Sequence, residues 1–134
     1  MSGSIDVALI LWNPDVIELM SFVLMRRDLR SDGIEPAEGR ERISAFISSC
    51  TATVVLFDLA PPYKRSVEEA LCLLDRFPNR SFVMTCADRR LALSCGPWLR
   101  HFPVFQKPYA MDEIAETARS MVIHASRRPV TVPL

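Results

Sequence analysis

The sequence predicts a single α/β domain built on a parallel sheet with helices on both faces. Three observations carry this. Short, nearly uninterrupted apolar runs recur along the chain, as strands covered on both faces require. Each run is followed by a segment with helical apolar spacing, in five rounds. Parallel strands need such crossovers, and the crossovers share one hand. The 134 residues, 49% hydrophobic and 24% charged, suffice for one sizeable core and are too apolar for a disordered polyampholyte.

The first strand is Val7-Ala8-Leu9-Ile10-Leu11. Asn13-Pro14-Asp15 ends it and opens a helix, with Asn13 as cap and Pro14 in the first turn. Val16, Leu19, Met20, Val23 and Leu24 form the apolar face of that helix. Arg26 and Arg27 complement its dipole. A weak run from Gly33 to Pro36 is an edge strand, and Ile43, Phe46 and Ile47 mark a second helix. Thr53-Val54-Val55-Leu56-Phe57 is the strongest strand signal, β-branched, aromatic and uncharged, with Asp58 directly at its end. After the break at Ala60-Pro61-Pro62, Ser66 and Glu69 have capping-box spacing, and Val67, Ala70, Leu71 and Leu74 form a buried stripe. Ser81 to Met84 is a strand closed by Thr85, and a short helix runs from Asp88 to Cys95, stopped by Gly96-Pro97. Val104-Phe105-Gln106 is the last strand, closed by Lys107-Pro108. A final helix runs from Met111 to about Ser126, lined by Ile114, Ala118, Met121 and Val122. The domain is expected to span 5–126, with 127–134 as a tail.

Composition excludes several function classes. The formal net charge is +0, from 16 basic and 16 acidic residues, so no whole-protein field draws nucleic acid or an acidic membrane. The four glycines, at 3, 33, 39 and 96, build neither a dinucleotide fingerprint nor a P-loop. No two cysteines make a C-x-x-C, so zinc and thioredoxin-like readings are poor. Cys86 reads as a small buried hydrophobe beside Thr85. The absence of a signal peptide and of an apolar run near the roughly 20 residues a membrane helix needs gives a cytoplasmic reading. A hydrolase would need a G-x-S-x-G elbow, which is missing, and the reading is of a non-enzyme.

In parallel α/β sheets, ligands collect beyond the strand C-termini. The residues there are Leu11-Trp12-Asn13, Asp58, Thr85 and Lys107. Alone, Asp58 would be a turn or capping residue. An acidic residue, a hydroxyl and a lysine at three successive strand ends resemble the response-regulator receiver domain of two-component signalling. The segments that carry the resemblance are Val54–Pro62, Phe82-Val83-Met84-Thr85 and Val104–Tyr109, and the similarity covers about residues 5 to 125.

The resemblance implies a flavodoxin-like fold with strand order 2-1-3-4-5. It implies that Asp58 is the phospho-acceptor, taking a phosphoryl group from a histidine kinase or a phosphotransfer protein. Thr85 would be the switch hydroxyl, Lys107 the cation that pairs with the phosphoryl group, and Lys107-Pro108 a cis bond. The Ala60 carbonyl would help hold Mg²⁺. The family's acidic metal-binding pair falls on Leu11 and Trp12, which offer no oxygen. Asn13 supplies one neutral oxygen next door. Mg²⁺ demands several hard oxygen ligands, so its affinity is expected to be weak. Trp12 is open to two readings, ordinary packing at the strand end or an indole laid over Asp58 that excludes a phosphodonor. The family's switch aromatic falls on Val104, with Phe105 following.

Two readings result. In one, a stand-alone receiver-like domain acts through protein–protein contact with Asp58 still phosphorylated. In the other, a pseudo-receiver binds or dimerises without phosphorylation. Arg89, Arg90, Arg100, His101 and Tyr109 read by themselves as a solvated surface. The resemblance implies that this fourth-helix, fifth-strand, fifth-helix face holds a homodimer. A rival reading is a small flavodoxin-like cofactor binder, but Leu11-Trp12-Asn13-Pro14 is not the Ser-, Thr- or Gly-rich loop a flavin phosphate needs.

Overall fold

The computed structural model describes residues 4–127; of the expected tail, residues 128–134 lie outside the described residues. The strands are β1 (Val7–Ile10), β2 (Ser31–Ile34), β3 (Val54–Asp58), β4 (Ser81–Cys86) and β5 (Val104–Gln106). The helices are α1 (Pro14–Met25), α2 (Arg40–Ser49), α3 (Tyr63–Arg76), α4 (Arg89–Cys95) and α5 (Met111–Arg127). The five strands form one sheet in the order β2-β1-β3-β4-β5, every pairing parallel.

Strand periodicity divides the core between the two faces. Ala8 and Ile10, Val55 and Phe57, and Phe82 and Met84 point toward α2, α3 and α4, where Ile47, Val67, Ala70 and Leu73 meet them. Val7 and Leu9, Val54 and Leu56, and Val83 point toward α1 and α5, against Met20, Leu24, Ile114 and Ala118. The three central strands are buried on both sides, which is why their sequences read as continuous apolar runs. Among the described residues, no helix is long and apolar enough to cross a membrane.

Helix starts follow local chemistry. Asn13 caps α1 by accepting from the Asp15 amide at 2.8 Å, with Pro14 in the first turn. Asp88 caps α4 by accepting from the Leu91 amide. Helix α3 departs from expectation. It begins at Tyr63, three residues before Ser66, because Pro62 in an extended conformation already occupies the cap position. Ser66 instead accepts a hydrogen bond from the Ala60 amide at 3.1 Å and braces the loop after β3. The buried stripe of α3 includes Leu73, while Leu71 is exposed. The edge strand sits earlier than Gly33 to Pro36, because Pro36 opens a short 3-10 turn, Pro36–Glu38. Leu19 faces solvent rather than the core of α1. Arg27 lies just beyond α1 and bonds Asp112 and Glu116 of α5 at 2.9 and 2.6 Å, so it ties two helices together instead of serving its own helix dipole.

Gly33 shows how closely α1 lies on the edge strand. A Cβ built there would stand 2.5 Å from Ile17 Cγ2 and 3.2 Å from the Leu9 carbonyl oxygen. Both neighbours are fixed, one by β-branching and one by the sheet. Gly33→Ala is expected to destabilise the fold by about 1–3 kcal/mol through overpacking. Urea denaturation measures it; an unchanged midpoint would mean that α1 can lift from the sheet at no cost.

Candidate functional site

The register of β3 against β4 builds the site. Asp58 and Thr85 are paired neighbours at the C-terminal ends of adjacent parallel strands. Thr85 is fully buried and donates from Oγ1 to Asp58 Oδ1 at 2.8 Å. Lys107 follows β5 directly. Its amide donates to the Cys86 carbonyl at 2.8 Å, which fixes the residue at the end of the ladder. Its side chain then reaches across β4, and Nζ stands 3.1 Å from Asp58 Oδ2. The Lys107–Pro108 bond is cis, as is Pro61–Pro62 in the loop after β3.

Asp58 is therefore a carboxylate with a partner on each oxygen. Its side chain is 6% exposed and that of Lys107 is 45% exposed, so the ion pair is buried at one end and wet at the other. Burial pushes the Tyr109 phenol above its ordinary range, and the Asp58 charge adds to the shift. The Cys86 thiol is pushed up for the same two reasons, burial first. A thiol held in its neutral form is a poor nucleophile, which agrees with a packing role for Cys86.

Leu11 and Trp12, which the resemblance sets at the acidic-pair positions, part company here. Leu11 is 1% exposed and packs into the core on the α1–α5 side, away from the rim. Trp12 stays at the rim. Its indole Nε1 donates to the Asp58 main-chain carbonyl at 3.2 Å, while 43% of the residue remains exposed. The observed contact of the ring with Asp58 is through the main chain of that residue. It has a simple cause, since β1 ends at Ile10, which pairs with Phe57, and leaves the Asp58 carbonyl without a strand partner on that side.

Receiver-like metal binding can be tested on these donors. Mg²⁺ requires near-octahedral oxygen coordination. The site supplies the Asp58 carboxylate, each oxygen of which accepts one hydrogen bond and keeps a second lone pair. Asn13 Oδ1 is occupied as the cap of α1, and positions 11 and 12 have no side-chain oxygen. Among the described residues, no three acidic, His or Cys side chains converge as a metal site. The donor set does not fit Mg²⁺. In its place, the cation at Asp58 is the ammonium of Lys107.

One contact escaped the sequence reading. Tyr63 is buried at the start of α3, and its hydroxyl oxygen accepts from the amides of both Ala87 and Asp88 at 3.0 Å. It thereby holds the segment that follows Thr85. No spacing rule marks it; only the aromatic after two prolines hinted at a packed turn.

The sequence matches no family model and no curated relative. Solved structures do match in fold. One is a transiently phosphorylated "switch" in bacterial signal transduction, with TM-score 0.73 and 17% identity, covering 92% of this chain and 98% of that one. A response regulator receiver domain protein from Methanospirillum hungatei gives TM-score 0.71 at 14% identity, with 92% and 98% covered. An orphan response regulator of H. pylori gives 0.64 at 12% identity, with 91% and 99% covered. The chain thus has the receiver-domain fold over nearly its whole length.

If Lys107 is what balances the Asp58 charge, removing it leaves a buried carboxylate unpaired. Lys107→Met is expected to cost about 1–2 kcal/mol at neutral pH, less than a fully buried pair because the ammonium is half exposed. Adding Asp58→Asn to that variant should recover most of the loss, since the amide needs no counter-charge. Urea denaturation of the four proteins in the cycle decides it, and no recovery in the double variant would refute the pairing argument.

Proposed function

We propose that this chain is a receiver-type signalling module of a two-component pathway that acts by binding another protein and does not depend on phosphorylation of Asp58. The observation that carries this reading is the Trp12 indole at the position where an acidic metal ligand would be needed, bonded to the Asp58 carbonyl. Phosphoryl transfer to a carboxylate places charge on the phosphoryl oxygens that must be neutralised. Here the available cation is Lys107, and it is already committed to Asp58. The Asp58–Lys107 pair then replaces a metal-dependent switch with a standing internal contact, and the output is whatever surface that one conformation presents.

A second reading keeps Asp58 as a slow phospho-acceptor, with Thr85 as the switch hydroxyl and Lys107 as the pairing cation. The observation in its favour is that both groups touch the Asp58 oxygens, as that role would require. Partners in either case are signalling proteins, a histidine kinase or a phosphotransfer protein in the second.

Intact mass after incubation with a small acyl-phosphate donor and Mg²⁺ separates the two. The expected result is no phosphoryl adduct on the folded protein. An adduct that disappears in Asp58→Asn would establish the second reading instead. Trp12→Asp, which restores one carboxylate at the rim without placing charge in the Leu11 core position, should gain Mg²⁺ binding measurable by calorimetry where the parent shows none.

A further inference from the structure

Helix α1 carries a face that the fold leaves uncovered. Asp15, Glu18, Leu19, Phe22, Met25 and Arg26 are all exposed, and the residues between them are half-buried or buried. At 100° per residue these six fall within an arc of about 120°, one continuous stripe along the helix. Leu19, Phe22 and Met25 are 51%, 52% and 61% exposed, so the middle of the stripe is large and apolar. Together they present roughly 300 Å² of apolar surface, about the size of the largest patch on a typical monomer, which is often functional. Among the described residues, the face expected to hold a homodimer, around α4, β5 and α5, shows one large exposed hydrophobic, Leu91, beside Arg89 and Arg90.

The ends of the stripe are charged with opposite signs. Asp15 and Glu18 stand at the N-terminal end and Arg26 at the C-terminal end. None of these side chains takes part in an ion pair among the described residues. This order is self-complementary. A two-fold axis crossing α1 between Met20 and Ser21 sets Asp15 opposite the second copy's Arg26, and Leu19 opposite the second copy's Phe22. A single axis satisfies both matches, as an isologous contact demands. The resulting patch has an apolar centre and a charged rim, the usual anatomy of a specific interface.

We propose that α1 is a homodimer interface, in which two copies of this chain pack their first helices antiparallel through Leu19 and Phe22 with Asp15–Arg26 pairs at both ends. The proposal rests on the surface of α1 and holds whether or not Asp58 accepts a phosphoryl group. It leaves the Asp58 rim and the α4–β5 side free for a different partner.

Sedimentation equilibrium on the full chain tests it. The mass is expected to rise toward twice 15.2 kDa with concentration. Phe22→Glu, a change at an exposed position, should sediment as a monomer with an unchanged circular dichroism spectrum. Asp15→Arg and Arg26→Asp should each weaken association about tenfold, and the double swap should return it to within about threefold of the parent. A parent that stays monomeric up to about 1 mM would overturn the proposal. So would a dimer that survives Phe22→Glu, or a double swap as weak as the single ones.

Discussion

A carboxylate buried at the end of a sheet must be paired, and the C-terminal rim of this molecule is arranged around that requirement. Asp58 enters the rim because β3 is apolar and covered on both faces up to its last residue. The parallel register then brings Thr85 alongside, and the β4–β5 pairing brings Lys107 within reach. Each partner takes one oxygen. The loops around the site follow from the same demand for satisfied polar groups. Trp12 supplies a donor to the Asp58 carbonyl beyond the end of β1, and Ser66 accepts from the Ala60 amide in the next loop.

Much of this was legible in the sequence because strands in such a sheet announce themselves. Uninterrupted apolar runs located the central strands, and the polar residue after each run was by construction at the rim. That pattern puts Asp58, Thr85 and Lys107 at one end of the sheet. Helix phase was harder. In α3 the apolar positions Val67, Ala70, Leu71, Leu73 and Leu74 are compatible with more than one face, and only packing against the sheet selects Leu73 over Leu71. The start of α3 was misplaced because a good cap residue, Ser66, occurs one turn inside the helix, where its hydroxyl serves the preceding loop. The partners of Trp12 and Tyr63 were not legible at all. An indole or phenol needs one hydrogen-bond partner when buried or half-buried, but the sequence does not say which of many backbone groups supplies it.

The two residues that precede the α1 cap have opposite surroundings. Leu11 extends the core and costs nothing at the rim, while Trp12 alone occupies the position near Asp58. An aromatic ring at the rim offers a divalent cation no oxygen, and the positive neighbour of the Asp58 carboxylate is Lys107, from the protein itself. The Asp58 charge is thus balanced from within the chain, by an ammonium whose other side meets solvent.

The clamp from Tyr63 onto the Ala87 and Asp88 amides gives the rim a mechanical character. Those two amides belong to the stretch joining β4 to α4, a connection that would otherwise take its shape from its own short sequence. With a phenol from α3 holding both, that stretch cannot hinge away from α3 without giving up two hydrogen bonds, each worth about 0.5–1.5 kcal/mol net. The sheet end, the connection and the first turn of α3 are therefore tied to one another through a single side chain. Any opening of the connection beside Thr85 has to break the Tyr63 contacts as well, so its cost is set in part by a side chain from another element.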